Sequence, residues 1–235
     1  MRMWLKLGVA LAALRVLATL PSNAFAADAA HPTVIELFQS QGCSSCPPAE
    51  ANVAAISDRA DVLALAFEVD YWDRLGWKDT FSKPAWTARQ YSYARAMGRD
   101  GVYTPQVVVN GRAEGDGLEA GGLAALMRQG DRGGSGPEVG FAGGAVSVGA
   151  GAAPVGGADV WLARYDPRAV EVAVKRGENA GHTLPYKGVV HELALLGHWH
   201  GNAANFPLPA GGEGLADAVI VQASGTGPIL AAARR

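Results

Sequence analysis

The residues of this 235-residue chain whose type and spacing point most directly to chemistry are its two cysteines. Both lie in Gln39-Ser40-Gln41-Gly42-Cys43-Ser44-Ser45-Cys46-Pro47-Pro48. Cys-x-x-Cys between an apolar strand and a helix reads as a dithiol-disulfide couple, because a closed zinc site needs four ligands and no second pair exists. A disulfide closing so short a loop stabilises by only about 2 kcal/mol in the chain-entropy treatment, before ring strain is subtracted, so stapling is a poor reason for it. An inert clip, and a zinc or copper site borrowing ligands from a partner or from distant histidines, are the alternatives. A thiol at a helix N-terminus titrates well below the usual value of about 8.5. Cys43, just ahead of the helix, is therefore the expected nucleophile, and Cys46, within the first turn, the less accessible resolving thiol. Glu36, on the preceding strand, would relay a proton to or from Cys46 if its side chain lies beneath the motif; pairing with an arginine or exposure to solvent is the alternative.

The surrounding elements must position these groups. Thr33 to Phe38 is β-branched and apolar, and a helix is expected over about 47–58, followed by a buried strand at Val62 to Phe67. Strand, helix, strand in that order implies a parallel pair with a right-handed crossover. Asp70, Tyr71, Trp72 and Trp77 sit in a segment too aromatic and charged for an ordinary loop. They would form one wall of a groove, core packing being the alternative for the tryptophans. A second helix is expected from near Ser82 to Met97, with Pro84 in its first turn. Val102 to Val109 then runs into Asn110-Gly111, a strong hairpin signal, with a return strand near Arg112 to Glu114. Asp116 would cap a last helix carrying Leu118, Leu123, Leu126 and Met127.

The resulting order, β-α-β-α-β-β-α, resembles that of the thioredoxin fold, with Cys-x-x-Cys after its first strand and a proline opening its third. Pro105 lacks an amide hydrogen, and a cis peptide bond there would turn the chain so that Thr104 offers backbone groups to an extended substrate. Tyr103, Thr104, Pro105 and Gln106 are thus the expected substrate-binding counterpart of the cysteines.

The first 26 residues read as a signal peptide: Arg2 and Lys6, a mostly apolar run from Leu7 to Leu20, and the small-x-small site Ala24-Phe25-Ala26. Arg15 interrupts the run and argues against a permanent membrane span. The expected location is periplasmic or secreted, where a disulfide persists. Cleavage removes Arg2, Lys6 and Arg15 and no acid, so the formal charge falls from −2 to −5, a balance that argues against nucleic acid. The expected partners are a protein or small-molecule thiol or disulfide and a redox recycling partner. No cofactor is called for.

A glycine- and alanine-rich shift places a boundary near Gly130, giving a thioredoxin-like domain over 27–130 and a β-rich domain over 131–235. Short alternating strands with glycine and proline turns in the second part suggest an antiparallel sandwich or half-barrel, packed beside the first and shaping a groove with the loop from Arg176 to Tyr186. His198-Trp199-His200 would put two imidazoles on one face if extended; surface or hydrogen-bonded histidines are expected there rather than a metal site.

Glu-Leu-Phe-Gln-Ser-Gln-Gly-Cys-Ser-Ser-Cys-Pro-Pro-Ala-Glu (36–50), Val-Asp-Tyr-Trp-Asp-Arg-Leu-Gly-Trp (69–77), Tyr-Thr-Pro-Gln (103–106) and Gly-Glu-Asn-Ala-Gly (177–181) together resemble the bacterial domain-of-unknown-function family twelve-twenty-three. The resemblance covers nearly the whole mature chain and implies a secreted thioredoxin-like protein with an added β-rich part. It names no substrate. The family pattern has His before Val-Asp-Tyr-Trp, where this chain has Glu68, so the charge around the cysteines is expected to differ from the family's.

Overall fold

The computed structural model describes residues 27–235; the expected signal segment, 1–26, lies outside them. The chain builds a mixed α/β structure around one large sheet. In order, the elements are β1 (Thr33–Gln39), α1 (Cys46–Ile56), β2 (Val62–Glu68), α2 (Pro84–Ala96), β3 (Gln106–Val109), β4 (Ala113–Gly115) and α3 (Ala120–Gln129). Then come β5 (Val139–Ala142), β6 (Ala145–Val148), β7 (Ala158–Asp166), β8 (Val170–Ala173), β9 (Thr183–Tyr186), β10 (Val189–Trp199), β11 (Ala204–Pro207), β12 (Ala216–Ala223) and β13 (Ile229–Arg234).

All seven residues of β1 are buried, as a strand covered on both faces must be. It pairs parallel with β2, Gln39 standing opposite Glu68, and antiparallel with β3, Phe38 opposite Gln106. Successive side chains alternate faces. Ile35 and Leu37 join Ala49 and Val53 of α1 and Leu123 of α3, whereas Val34 and Phe38 join Trp86 and Tyr93 of α2. Asn110 and Gly111, both at positive φ (49° and 61°), make the tight turn between β3 and β4. The Asn110 side chain also accepts from the Val34 amide and donates to the Gly130 carbonyl.

The second half continues the same sheet. β10 lies parallel to β2, with Val189 opposite Ala66, and carries β7, β12 and β13 outward to give the order β13-β12-β7-β10-β2-β1-β3-β4. One apolar cluster runs from Val34, Phe38 and Phe67 through to Ala163, Val190, Ile220 and Ile229, so the two halves share a core. On the outer strands a second layer, the three-stranded sheet β11-β6-β5, packs Val146, Val148 and Phe206 against Val160, Leu162 and Val219. The antiparallel pairing expected of this half is present, but its main strands extend the first sheet. β8 and β9 form a separate hairpin, with Pro185 in a strand short enough to tolerate its missing donor.

Helix bounds differ from expectation by a residue or two: α1 starts at Cys46 and α2 at Pro84. Asp116 accepts from the Leu118 amide, but the residue preceding α3 is Glu119. No helix among the described residues is long and apolar enough to cross a membrane.

Candidate functional site

Cys43 and Cys46 are joined as a disulfide, with Cα atoms 5.5 Å apart. Cys46 is the first residue of α1. Pro47 and Pro48 follow in the first turn, where amides have no intrahelical partner in any case. Ser45 hydroxyl oxygen lies 3.3 Å from the Cys43 sulfur and 3.5 Å from the Thr104 carbonyl oxygen. The motif and the proline loop, far apart in sequence, therefore adjoin. The Thr104-Pro105 peptide bond is cis.

The expected site residues divide into those gathered here and those held elsewhere. Trp72 indole N–H donates to Thr104 Oγ1 at 2.8 Å, and Trp77 indole N–H donates to Gln41 Oε1 at 3.0 Å. Both tryptophans thus frame the motif through polar contacts. Tyr71 packs against the α2 side of the core, and burial pushes its hydroxyl up to about 12. Asp70 is bound to Thr87 of α2, whose hydroxyl donates to its carboxylate at 2.5 Å. Tyr103 is exposed and donates to Glu114, while Gln90 donates both to the Tyr103 carbonyl and to Gln106 Oε1, locking the loop from behind.

Glu36 is placed differently from the expected proton relay. Its carboxylate points to the α2 face, where Arg89 grips both oxygens at 2.7 Å and Tyr93 hydroxyl donates at 3.0 Å. Gln222 of β12 completes the group, accepting from Arg89 and donating to Tyr93. Burial opposes the Arg89 charge, but the Glu36 carboxylate beside it outweighs that and raises its pKa. The reason is strand alternation: residue 36 shares a face with 34 and 38, and the side facing α1 belongs to 35, 37 and 39.

The acids on the cysteine side are others. Glu50 follows Cys46 by four residues on α1, hence on the same helix face. Gln39 Nε2 donates to Glu50 at 2.5 Å and to Glu68 at 2.9 Å, and the Lys187 amide donates to the other Glu50 oxygen at 2.8 Å. Burial pushes Glu50 up to about 7. Glu68 is held well above the usual carboxylate range by burial and by the neighbouring Asp79. Asp79, raised by burial, accepts from the Gln41 and Phe81 amides. Glu68 thus enters the site through Gln39, which donates to it. Glu50 was legible from its spacing to Cys46; Gln39 and Asp79 carried no such signal.

Accessibility also differs from expectation. Cys43 is 0% exposed and Cys46 2%. The loop between β8 and β9 is hydrogen-bonded to the turn that carries Cys43. Asn179 Nδ2 donates to the carbonyls of Gln41 (2.9 Å) and Cys43 (3.0 Å), and Glu178 accepts from the Ser44 amide (3.1 Å) and hydroxyl (2.7 Å). Gly177, beside Trp77 and Gly42, sits at φ +80°, a left-handed backbone conformation that glycine adopts without strain. Cys46, by contrast, lines a pocket of about 300 Å³ between α1 and β9. The loop at 176–186 does shape this region, but as a strap bound to the cysteine turn.

His198 hydrogen-bonds Asp159 at 2.8 Å, and among the described residues no three His, Cys, Asp or Glu side chains are grouped to hold a metal ion.

A profile of the family described as "Protein of unknown function (DUF1223)" matches residues 34–222. The chain is similar to an Agrobacterium tumefaciens protein whose X-ray crystal structure was determined as a structural-genomics target, with TM-score 0.70 and 36% identity over 86% of this chain and 92% of that one. No curated protein matches. The sequence blocks around the cysteines, the aromatic segment and the strap all fall within the matched span, and the chain belongs to the DUF1223 family of proteins of unknown function.

Proposed function

We propose that this chain is an exported, thioredoxin-like thiol-disulfide oxidoreductase in which Cys43 and Cys46 cycle between dithiol and disulfide. The observation that carries the reading is the convergence at one place of a disulfide at the start of α1, the Thr104-Pro105 loop and a buried acid, Glu50, one helical turn beyond Cys46. The thioredoxin-like assignment draws on the sheet order β2-β1-β3-β4 with β1 and β2 parallel, and on α1 and α3 packing opposite α2. Export draws on the N-terminal segment alone.

In the reductive direction the Cys43 thiolate attacks one sulfur of a substrate disulfide, forming a mixed disulfide and expelling the other substrate sulfur as a thiolate that takes up a proton. Cys46 then loses its proton and attacks the Cys43 sulfur, releasing the second substrate thiol. Two electrons pass from the dithiol to the substrate, and a recycling dithiol partner restores them. Glu50 is the group suited to accept the Cys46 proton, since an acid with a pKa of about 7 exchanges protons near neutrality. Trp72, Tyr103 and the Thr104 backbone form the side on which a substrate chain would lie, once the strap on the cysteine turn lifts.

Burial of both sulfurs favours a second reading, a binding protein of the same fold whose disulfide stays closed. One comparison separates the two. Reduction of insulin or a small disulfide substrate is expected from the wild type and not from Cys43→Ser; equal rates would sink the catalytic reading, and a partner trapped as a mixed disulfide on Cys46→Ser would establish it.

A further inference from the structure

The pocket beside Cys46 has walls made by Pro47, Ala51 and Ala54 of α1 and by Leu184 and Pro185 of β9. Nearly all of its lining is apolar, and its volume of about 300 Å³ lies at the small end of the range for small-molecule sites. Its few polar groups are unbalanced in one direction. Gln39 lines it, is 0% exposed, and has an Oε1 that accepts from no donor, while its amide N–H groups donate to Glu50 and Glu68. Glu50 lines it as well. The one lysine on the lining, Lys187, has its ammonium turned to Asp58 at 2.7 Å.

Three carboxyl groups, Glu50, Glu68 and Asp79, are thus buried together without an ion-pair partner among the described residues. Buried acceptors without donors are costly, and so are buried carboxylates without a cation. Whatever fills this pocket lowers both costs if it brings N–H donors and positive charge, and raises them if it brings another carboxylate. We propose that the pocket binds a primary ammonium group on a short apolar stem, the ammonium donating to Gln39 Oε1 and Glu50, and the stem lying against Pro47, Ala51, Ala54 and Leu184. Binding does not require the disulfide to cycle, although the site shares Glu50 with the proton transfer proposed at Cys46.

The test uses the oxidised full mature chain and three probes of one shape: phenethylamine, phenethyl alcohol and 3-phenylpropanoate, with binding followed by calorimetry or ligand-observed NMR. Phenethylamine is expected to bind saturably and at least tenfold more tightly than the carboxylate. Glu50→Gln should weaken the amine at least tenfold and the alcohol much less. Ala51→Phe, at an exposed position on the pocket wall, should block all three. Equal binding of amine and carboxylate, amine binding indifferent to both variants, or no binding at millimolar probe would each overturn the proposal. A blocked dipeptide with a single lysine tells the two sources of the ammonium apart: tighter binding than phenethylamine identifies a protein lysine, weaker binding a free amine.

Discussion

The two faces of β1 each bury an acid, and the structure treats them in opposite ways. On the α2 face Glu36 meets Arg89 through two parallel hydrogen bonds and has Tyr93 and Gln222 around it, so its oxygens are paired. Across the sheet, Gln39 is the side-chain donor shared by Glu50 and Glu68, and no cation joins them among the described residues. The same cost of desolvating a carboxylate is met by an arginine in one place and by proton uptake in the other. A charge neutralised by a neighbouring residue fixes structure, because the pair has nothing left to exchange. A carboxyl held near neutrality by burial can gain or lose a proton in response to what happens beside it, and what lies beside it here is Cys46.

Breaking the paired face should cost most. Arg89→Met leaves Glu36 buried without its cation, and the expected loss is about 3–5 kcal/mol in a urea or thermal melt. Adding Glu36→Leu should return much of that, since removing both charges of a buried pair is often nearly neutral. A double variant as unstable as Arg89→Met alone would mean that the pair's geometry, not its charge balance, is what β1 and α2 require.

The unpaired face should show itself through pH. Glu50 has a folded-state pKa of about 7 against an ordinary 4.5, so the folded protein binds more protons than the unfolded chain between those values. Its contribution to stability is complete below pH 4.5 and lost as pH rises through about 7, to the extent of at most about 3 kcal/mol. Glu50→Gln has no proton to lose. Its stability relative to the wild type should therefore rise across that window, and a difference that does not change with pH would remove Glu50 from the account.

These faces were only partly legible in the sequence. Period-two alternation separates Glu36 from Gln39, but nothing in Thr33 to Gln39 says which face α1 covers, so the acid nearer in type was assigned to the cysteines. Cys46 and Glu50, four apart on a helix, were a local signal and needed no tertiary knowledge. The Cys-x-x-Cys motif and Thr104-Pro105 were readable because a strand-to-helix turn and a proline-led strand have few uses. The continuation of the sheet through β10 was not, because Val189 to Leu196 announces a strand without announcing a partner. Nor could the burial of Cys43 be judged from its position ahead of α1, since residues that bind its turn, Glu178 and Asn179, lie more than a hundred positions away.

That strap offers the mildest intervention and bears on the unpaired face alone, because it rests on the cysteine turn while Lys187, the residue after β9, donates its amide to Glu50. Asn179 is 6% exposed and spends one amide group on two carbonyls, those of Gln41 and Cys43. Asn179→Ala removes both hydrogen bonds and leaves the carbonyls to find water, at an expected cost of about 1–3 kcal/mol. The more telling readout is chemical. Loosening the loop should expose the Cys43 sulfur and speed reduction of the disulfide by a small dithiol several-fold, with Arg89→Met at matched stability serving as the control for general loosening. If the two variants speed reduction equally, the strap has no specific hold on the disulfide. If Asn179→Ala alone does, access to Cys43 is set by the second half of the chain, and the added strands govern the reactivity of the first.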